Sequence, residues 1–327
     1  MQQTTRETAS QGVLGRIGWI LQRFQSVSML IALCIVLAIA SPYFLTTDNL
    51  LNVLRQVSIV GIIAAGQTAV IITAGIDLSV GALLAMSAAI AAGLYRMQGI
   101  PAEITIPIGL LAGAFLGLLN GLMVTKLKLV PFIVTLGMMG IARGLVFVYT
   151  QGVSRPALAP IFKFIGQGYV LGIPVPVIIM AIVFLLMHIY LSQTKAGRYT
   201  YAIGDNEETC RLSGVNIDRY KTYVYVISGL LAGVAGIILV GRLRAAPPIA
   251  GIGDELDSIA AAVIGGTSLM GGQGTMLGTL VGALIMGLLR NGLNLLGVSS
   301  FWQQTVIGVV IILAVYLDSL RSRLART

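Results

Sequence analysis

The stretch QTKAGRYTYAIGDNEETCRLSGVNIDRYK, residues 193–221, is a polar segment between two apolar runs, residues 173–192 and 222–242. Each run has about the length that an α-helix needs to cross the roughly 30 Å hydrocarbon core of a bilayer. The polar segment carries five of the 21 Lys and Arg residues of the chain. This alternation predicts two membrane-spanning helices that are joined by a charged loop at one membrane surface.

The middle of the polar segment has the sequence features of a short helix. Asp205 is followed three residues later by Glu208, which is the spacing of a capping box. Glu207 and Arg211 stand in the i, i+4 order that stabilises a helix, and Gly214 is the residue type that most often ends one. We predict a helix of about two turns that begins at Asp205. A helix this short, isolated between two membrane spans, suggests a docking element for a partner.

The composition of the whole chain is that of a polytopic membrane protein. Hydrophobic residues make up 57% of the chain and charged residues only 10%, which lies well outside the range of soluble proteins. We therefore expect an all-α fold of membrane helices. The net charge of +9 is explained by basic loops at one membrane surface, so we expect no nucleic-acid partner.

Ten apolar segments are candidate membrane spans, and they divide the chain into a membrane domain, residues 27–318, and two tails, residues 1–26 and 319–327. The predicted spans are residues 27–41, 53–74, 78–95, 104–125, 130–149, 173–192, 222–242, 257–271, 275–294 and 301–318.

The distribution of basic residues predicts the orientation of these spans. An even number of spans places both termini and the polar segment on the same side, and most Lys and Arg residues outside the spans then fall on that side. Because cytoplasmic loops carry the excess of positive charge, we expect both termini and the polar segment to be cytoplasmic.

The 40 glycines indicate close contact between helices. Gly109, Gly113, Gly117 and Gly121 lie on one face of the fourth predicted span, at a spacing that lets two helix backbones approach. Two stretches also resemble each other: AGID at residues 74–77 with AGIGD at 250–254, and GLLAGAFLGLLNG in the fourth span with GTLVGALIMGLLRNG in the ninth. An inverted internal duplication and chance similarity in a Gly- and Ala-rich chain both explain this.

Several polar residues inside the spans are candidates to line a passage for a solute. The neutral ones are Gln67, Thr68, Thr73, Asn120, Asn291 and Asn294. Gly75 and Asp77 form a predicted turn before the third span. Ionisable groups inside a membrane are functional candidates by default, but a carboxylate at Asp77 is better explained as a cap on the following helix.

The chain has no motif for catalysis or for nucleotide binding. No G-x-x-x-x-G-K-[ST] phosphate loop, no Ser/His/Asp arrangement and no metal-ligand cluster occurs in the sequence. We therefore expect a protein that is not an enzyme and binds no cofactor and no metal.

Long stretches of the chain resemble one family of membrane proteins. They are ITAGIDLSVGALLA at residues 72–85, GRYTYAIGDNEETCRLSGVNI at 197–217, ELDSIAAAVIGGTSLMGGQGTMLGTLVGALI at 255–285 and NGLNLLGVSS at 291–300. On these residues the chain resembles, over nearly its whole length, the permease subunits of ATP-binding-cassette (ABC) sugar importers.

The resemblance implies a set of partners and a location in the bacterial inner membrane. Two permease copies, forming a homodimer within the lipid, would provide the pathway, two ATPase subunits would bind from the cytoplasm, and a periplasmic sugar-binding protein would deliver the substrate. The loop before the seventh span would couple to the ATPase, which assigns that role to Asp205, Glu207, Glu208, Arg211, Leu212, Ser213, Gly214 and Asn216.

The resemblance also implies ATP-driven import of ribose or a similar monosaccharide. A passage lined by Asn, Gln and Thr without charge suits a neutral solute. Two alternatives remain open at this point: a secondary carrier for a neutral solute, which would need no ATPase, and an ABC permease for branched-chain amino acids, which would need a site for a zwitterion.

Overall fold

A computed structural model describes residues 25–324. The predicted tail at residues 1–26 lies almost entirely outside the described residues, and the tail at 319–327 lies partly outside them. Thirteen helices occur in the described part of the chain, which confirms the all-α fold. They are α1 Gln25–Ala40, α2 Thr47–Ile72, α3 Val80–Gln98, α4 Ala102–Thr125, α5 Pro131–Thr150, α6 Pro160–Gln167, α7 Val175–Gln193, α8 Lys195–Asp205, α9 Glu207–Leu212, α10 Ile217–Leu243, α11 Asp254–Ile264, α12 Met276–Leu295 and α13 Ser300–Leu324.

Two short antiparallel strand pairs occur in the loops. One pair joins the loop before α6 to the loop after α10, and the other lies within the loop after α6. Strand β1, Arg155–Pro156, pairs with β4, Ala245–Ala246, while β2, Tyr169–Val170, forms a hairpin with β3, Ile173–Pro174. These pairs satisfy backbone groups in the longest connections between helices, and they lie at the end of the bundle opposite the polar segment.

The membrane character predicted from composition is confirmed. Within residues 25–324, seven helices are long and apolar enough to cross a membrane, namely α2, α3, α4, α5, α7, α10 and α12. Helix α1 is also apolar over Ser26–Ala40 but is shorter than these seven. Each of the ten predicted ranges overlaps one of the helices, but the count of ten membrane crossings stays a prediction.

The eighth predicted span, residues 257–271, differs in the structure. Helix α11 has 11 residues and ends at Ile264, so it rises only about 16 Å. The chain beyond it, GGTSLMGGQGT, cannot continue the helix because Gly266, Gly271 and Gly272 adopt left-handed backbone conformations. Helix α11 is therefore about half as long as a membrane crossing requires.

The non-helical segment before α11, residues 244–253, packs inside the bundle. The Arg143 guanidinium, in the middle of α5, donates hydrogen bonds to the carbonyl oxygens of Pro248 at 2.8 Å and of Ala250 at 2.6 Å. A Cβ atom at Gly251 would overlap the carbonyl oxygen of Gly81, at the start of α3, so a larger residue does not fit there. The motif at residues 250–254 thus lies against the start of α3, a few residues after the motif at 74–77.

Other helix ends of the bundle have an inverted, pairwise arrangement. The end of α4 meets the start of α10, where the Thr125 and Thr222 hydroxyls are 3.1 Å apart. The end of α12 meets the start of α2, where the Asn291 amide donates to Asn49 at 2.7 Å. If α2, α3 and α4 correspond to α10, α11 and α12, then both contacts join the end of the third helix of one unit to the start of the first helix of the other unit. The two contacts lie at opposite ends of the bundle. This arrangement favours the inverted duplication over chance similarity.

The glycine face of α4 packs directly on the backbone of α10, and these two helices form the most extensive helix–helix contact of the described chain. A Cβ atom at Gly113 would lie 2.5 Å from the Gly229 carbonyl oxygen. A Cβ atom at Gly117 would overlap the Tyr225 carbonyl. The close approach predicted from the glycine spacing is therefore confirmed.

We expect Gly117→Ala to destabilise the protein by about 1–3 kcal/mol, because the added methyl group has to displace backbone atoms in a tightly packed contact. Gly137→Ala in α5 is the matched control, since nothing lies within 4 Å of the position that its Cβ atom would take. That change should leave stability unchanged or raise it by up to about 1 kcal/mol through helix propensity. Thermal denaturation in detergent measures both. Equal melting temperatures for the two variants would contradict the packing argument.

Candidate functional site

The polar segment contains two helices, α8 and α9, where the sequence predicted a single short helix. Asp205 does not cap the second helix, because it is the last residue of α8. Asn206 is the cap instead: its backbone is extended, and its side-chain oxygen accepts a hydrogen bond from the Thr209 amide at 2.8 Å. Asn and Asp are about equally good caps, so the sequence signal was placed one residue too early.

Ion pairs hold α9 in place. The Glu207 carboxylate accepts hydrogen bonds from Arg211 at 3.2 Å, in the predicted i, i+4 pair, and from Lys221 at 2.5 Å. Burial by itself would raise the pKa of Glu207, but the hydrogen bond from Lys221 and the charges of Lys221, Arg211 and Lys128 outweigh it and lower that pKa. Glu207 is therefore ionised at neutral pH. Glu208 lies 3.9 Å from Arg211 and is more exposed.

Helix α9 ends as the sequence predicted. Gly214 has a φ of 78°, and its amide bonds the Arg211 carbonyl, while the Ser213 hydroxyl donates to the Thr209 carbonyl at 2.9 Å. Asn216 then caps α10, because its side-chain oxygen accepts from the Arg219 amide at 3.0 Å. The turn between α9 and α10 is thus closed by hydrogen bonds on both sides.

Helix α9 has one buried face and one exposed face. Cys210 is buried against Ile203 of α8 and Ile217 of α10. Leu212, in contrast, exposes 82% of its surface. The exposed face of α9 thus presents Leu212 together with the charged side chains of Glu208 and Arg211.

The end of α8 makes a backbone contact with the membrane helices that the sequence did not reveal. A Cβ atom at Gly204 would overlap the carbonyl oxygen of Ile72, the last residue of α2. That same carbonyl accepts a hydrogen bond from the Gly272 amide at 2.9 Å, and the Tyr201 hydroxyl donates to the Gly274 carbonyl at 2.7 Å. Movement of α8 therefore acts directly on the end of α2 and on the loop after α11.

A buried polar cluster lies just beyond the end of α2. The Asp77 carboxylate accepts from the Ser79 amide at 2.9 Å and from the Ser228 hydroxyl of α10 at 3.0 Å. The Gln67 side-chain amide pairs with the main chain of Asp77 at 3.1 Å, and the Asn120 amide donates to the Ser79 hydroxyl at 2.8 Å. The expectation that Asp77 caps α3 is therefore wrong: Ser79 holds the cap position, and the Asp77 carboxylate instead bonds the Ser79 amide and connects the start of α3 to α10.

The turn residue Gly75 lies against this cluster, because a Cβ atom there would be 2.7 Å from the Tyr225 hydroxyl. The Thr68 hydroxyl meets that of Thr279 on α12 at 2.7 Å, and the Thr73 hydroxyl bonds the Val70 carbonyl at 2.8 Å. Gln67, Thr68, Thr73 and Asn120 are all buried between packed helices in this conformation.

A polar cavity lies at the end of the bundle that is remote from the polar segment. Asn294 is the one residue of the six predicted pathway residues that lines it. The volume of the cavity is about 290 Å³. Its polar lining is Gln56, Arg242, Asp254, Asp257, Arg290, Asn294 and Gln303. Asn291, which directly follows the cavity residue Arg290 on α12, is paired with Asn49 instead.

Charged groups line this polar cavity, whereas the sequence predicted an uncharged passage. Arg290 and Asp257 form an ion pair, with 2.5 Å between the guanidinium Nη2 and the carboxylate Oδ2. The residues selected from the sequence did not include Asp254, Asp257 or Arg290. The signal that could have found them is the rule that ionisable residues within membrane segments are usually functional.

Comparison with known proteins identifies the family. A family model described as branched-chain amino acid transport system / permease component matches residues 49–315. The chain is 47% identical over 310 residues to the ribose import permease protein RbsC of Haemophilus influenzae, which covers 93% of this chain and 95% of that protein. It is 50% identical over 313 residues to the protein of the same name from Bacillus subtilis, with 95% of each chain covered.

A third relative is the fructose import permease protein FrcC of Rhizobium meliloti, which is 42% identical over 285 residues, covering 84% of this chain and 79% of that protein. No solved structure matches the chain. The chain therefore belongs to this family of transport-system permease components. With seven apolar helices among the described residues, it is a multi-pass inner-membrane protein.

We expect Gly204→Ala to separate α8 from the end of α2, because the added methyl group and the Ile72 carbonyl cannot occupy the same space. Amide hydrogen exchange of the detergent-purified protein should then be faster in residues 198–205 and at Gly272, whose hydrogen bond to Ile72 would be weakened. Gly140→Ala, where nothing lies within 4 Å of the added atom, is the control. Unchanged exchange in the Gly204 variant would show that this contact is not tight.

Proposed function

We propose that the chain is the membrane subunit of an ABC importer that moves ribose or a similar monosaccharide into the cytoplasm. The observation that carries the proposal is the 47–50% identity to ribose import permeases over more than nine-tenths of both chains. The polar segment agrees with it, since α9 presents an exposed leucine and charged side chains that are available for contact with a separate motor subunit.

The proposed assembly contains two copies of this chain, two cytoplasmic ATPase subunits and a periplasmic sugar-binding protein, and ATP hydrolysis takes place on the ATPase. In this proposal both termini and the polar segment face the cytoplasm, as the basic residues suggest. The break at residues 244–253 and the half-length helix α11 then cross the membrane together, which keeps the predicted even number of crossings.

The coupling step follows from the contacts of α9. Leu212 would insert into a groove of the ATPase, and the charged residues around it would pair with the rim of that groove. Displacement of α9 would pass through Asn216 into α10, and through Gly204 at the end of α8 into the end of α2. These two helices meet at the polar cluster around Asp77, so both would move the helix breaks at the centre of the bundle.

The comparisons favour a sugar over the two alternatives. The family model carries the name of amino acid transport, but the relatives that cover most of this chain are import permeases for ribose and fructose. A secondary carrier would have no use for the exposed surface of α9, because it would need no ATPase.

Reconstitution tests the proposed function. The permease, its ATPase and its binding protein should accumulate labelled ribose in proteoliposomes only when ATP is supplied on the ATPase side. Fructose, allose, xylose and leucine serve as competitors, and the strongest competitor identifies the substrate class. Accumulation by the permease alone would indicate a secondary carrier, and competition by leucine alone would indicate an amino acid importer.

We expect Leu212→Asp to reduce co-purification of the ATPase by roughly tenfold or more, because a buried apolar contact would be replaced by a charge at the centre of the interface. Folding should be unaffected, since Leu212 is 82% exposed. Leu171→Asp, in the β2–β3 turn at the other end of the bundle, is the control because that side chain is also exposed. Full ATPase binding by the Leu212 variant would exclude α9 as the docking helix.

A further inference from the structure

The polar cavity lies at the end of the bundle that is remote from the polar segment. Five helices meet there: α2 contributes Gln56, while α10, α11, α12 and α13 contribute the other polar side chains. Ile72, at the other end of α2, contacts the polar segment through Gly204. The 16 residues from Gln56 to Ile72 correspond to about 24 Å of helix, so the cavity and the docking surface are on opposite sides.

Two buried groups of this cavity lack hydrogen-bond partners among the described residues. Asp257 is 1% exposed; its Oδ2 atom forms an ion pair with Arg290 at 2.5 Å, but neither Oδ1 nor Oδ2 accepts a hydrogen bond of good geometry. The Nε atom of Arg290 also has no hydrogen-bond partner. Because an unpaired buried polar atom is unfavourable by about 1–3 kcal/mol, this arrangement indicates a ligand or solvent that supplies the missing hydrogen bonds.

The lining matches the chemistry of a polyhydroxyl solute. Two carboxylates, two guanidinium groups and three amides line the cavity. Each sugar hydroxyl both donates and accepts, so it is served by such a mixture. The two carboxylates and the two guanidinium groups carry equal and opposite charge. The site with a neutral ligand bound therefore has no net charge. Ile59, Val60 and Leu239 provide apolar surface for the carbon face of a sugar ring.

The size of the cavity fits the same class of ligand. A volume of about 290 Å³ equals roughly ten water molecules at their share of liquid volume. It lies at the lower edge of the range of small-molecule pockets. A pentose or hexose can be enclosed in this space, while a larger oligosaccharide cannot.

We propose that this cavity is the site at which the permease itself receives the monosaccharide, with the Asp257–Arg290 pair and the amides of Asn294 and Gln303 as its hydrogen-bonding groups. This inference rests on the proposed function and adds the position of the site. It assigns to the permease a contribution to sugar selection, separate from that of the binding protein.

The first test measures uptake and coupling together in the reconstituted importer. The double variant Asp257→Asn with Arg290→Gln removes both charges at once, since loss of one alone would leave the other buried and unpaired. Ribose uptake at low concentration should fall roughly tenfold or more, and Asn294→Ala should reduce it roughly three- to tenfold. Stimulation of the ATPase by the loaded binding protein should persist in both variants, because α9 is unchanged and the binding protein contacts the outer surface of the bundle, below which Asp257 is buried. Glu103→Gln, an exposed acid at the start of α4, is the control and should leave uptake unchanged.

The second test detects occupancy of the cavity directly. Asn294→Cys, in a chain whose Cys34 and Cys210 are replaced by Ala, should react with a membrane-impermeant maleimide added to intact spheroplasts. Saturating ribose should slow this reaction severalfold, and the double variant should abolish the protection.

A failure of the cavity site and a failure of the proposed function give different results. If the wild-type importer accumulates ribose but the variants retain full uptake, or ribose gives no protection, the cavity is not the sugar site although the function stands. Loss of ATPase stimulation together with uptake would assign the Asp257–Arg290 pair a structural role. If the cysteine of Asn294→Cys reacts only in inside-out vesicles, the cavity faces the cytoplasm. If leucine and not ribose protects that cysteine, the cavity is not a sugar site. If the wild type transports no sugar of the panel, the proposed function itself fails.

Discussion

Direct contact between helix backbones is the constraint on which this structure depends. Helices α4 and α10 approach so closely at Gly113, Gly117 and Gly229 that no side chain fits between them. In a bilayer, helix association cannot draw on a hydrophobic force, so van der Waals contact between close backbones has to provide it. The same device brings Gly251 against Gly81, and it thereby places the helix break before α11 against the start of α3.

The helix breaks connect the two ends of the molecule. Non-helical backbone inside a membrane protein is stable only where its polar groups find partners. Arg143 supplies partners to the second break, before α11, and the cluster of Gln67, Ser79 and Ser228 around Asp77 supplies them to the first, between α2 and α3. The polar segment touches the first break through α2, and the polar cavity adjoins the second through Asp254 and Asp257. A displacement at one end therefore has a short, contiguous path to the other.

Sequence reasoning located most helices correctly because membrane length and glycine spacing are local properties. It was wrong about the helix start at Asp205 by one residue, since Asn206 and Asp205 are equivalent as cap types and only the backbone direction decides between them. It also extended the eighth span to residue 271, because Ser268, Leu269 and Met270 continue an apolar pattern while the left-handed glycines on either side end the helix at Ile264.

The amino-acid sequence by itself determined the all-α membrane fold, the short helix with its Glu207–Arg211 pair and its glycine stop, and the membership of a permease family. The fold and the short helix follow from residue type and spacing along a single helix, and the family membership follows from the resemblance of long stretches of the chain to known permeases. Only the tertiary structure decided that Asp257, Arg290 and Asn294 share a cavity, that Gly204 contacts Ile72, and that most of the predicted pathway residues are buried between helices. Such contacts join residues far apart in the chain, and periodicity within one helix does not encode which neighbour a helix face will meet.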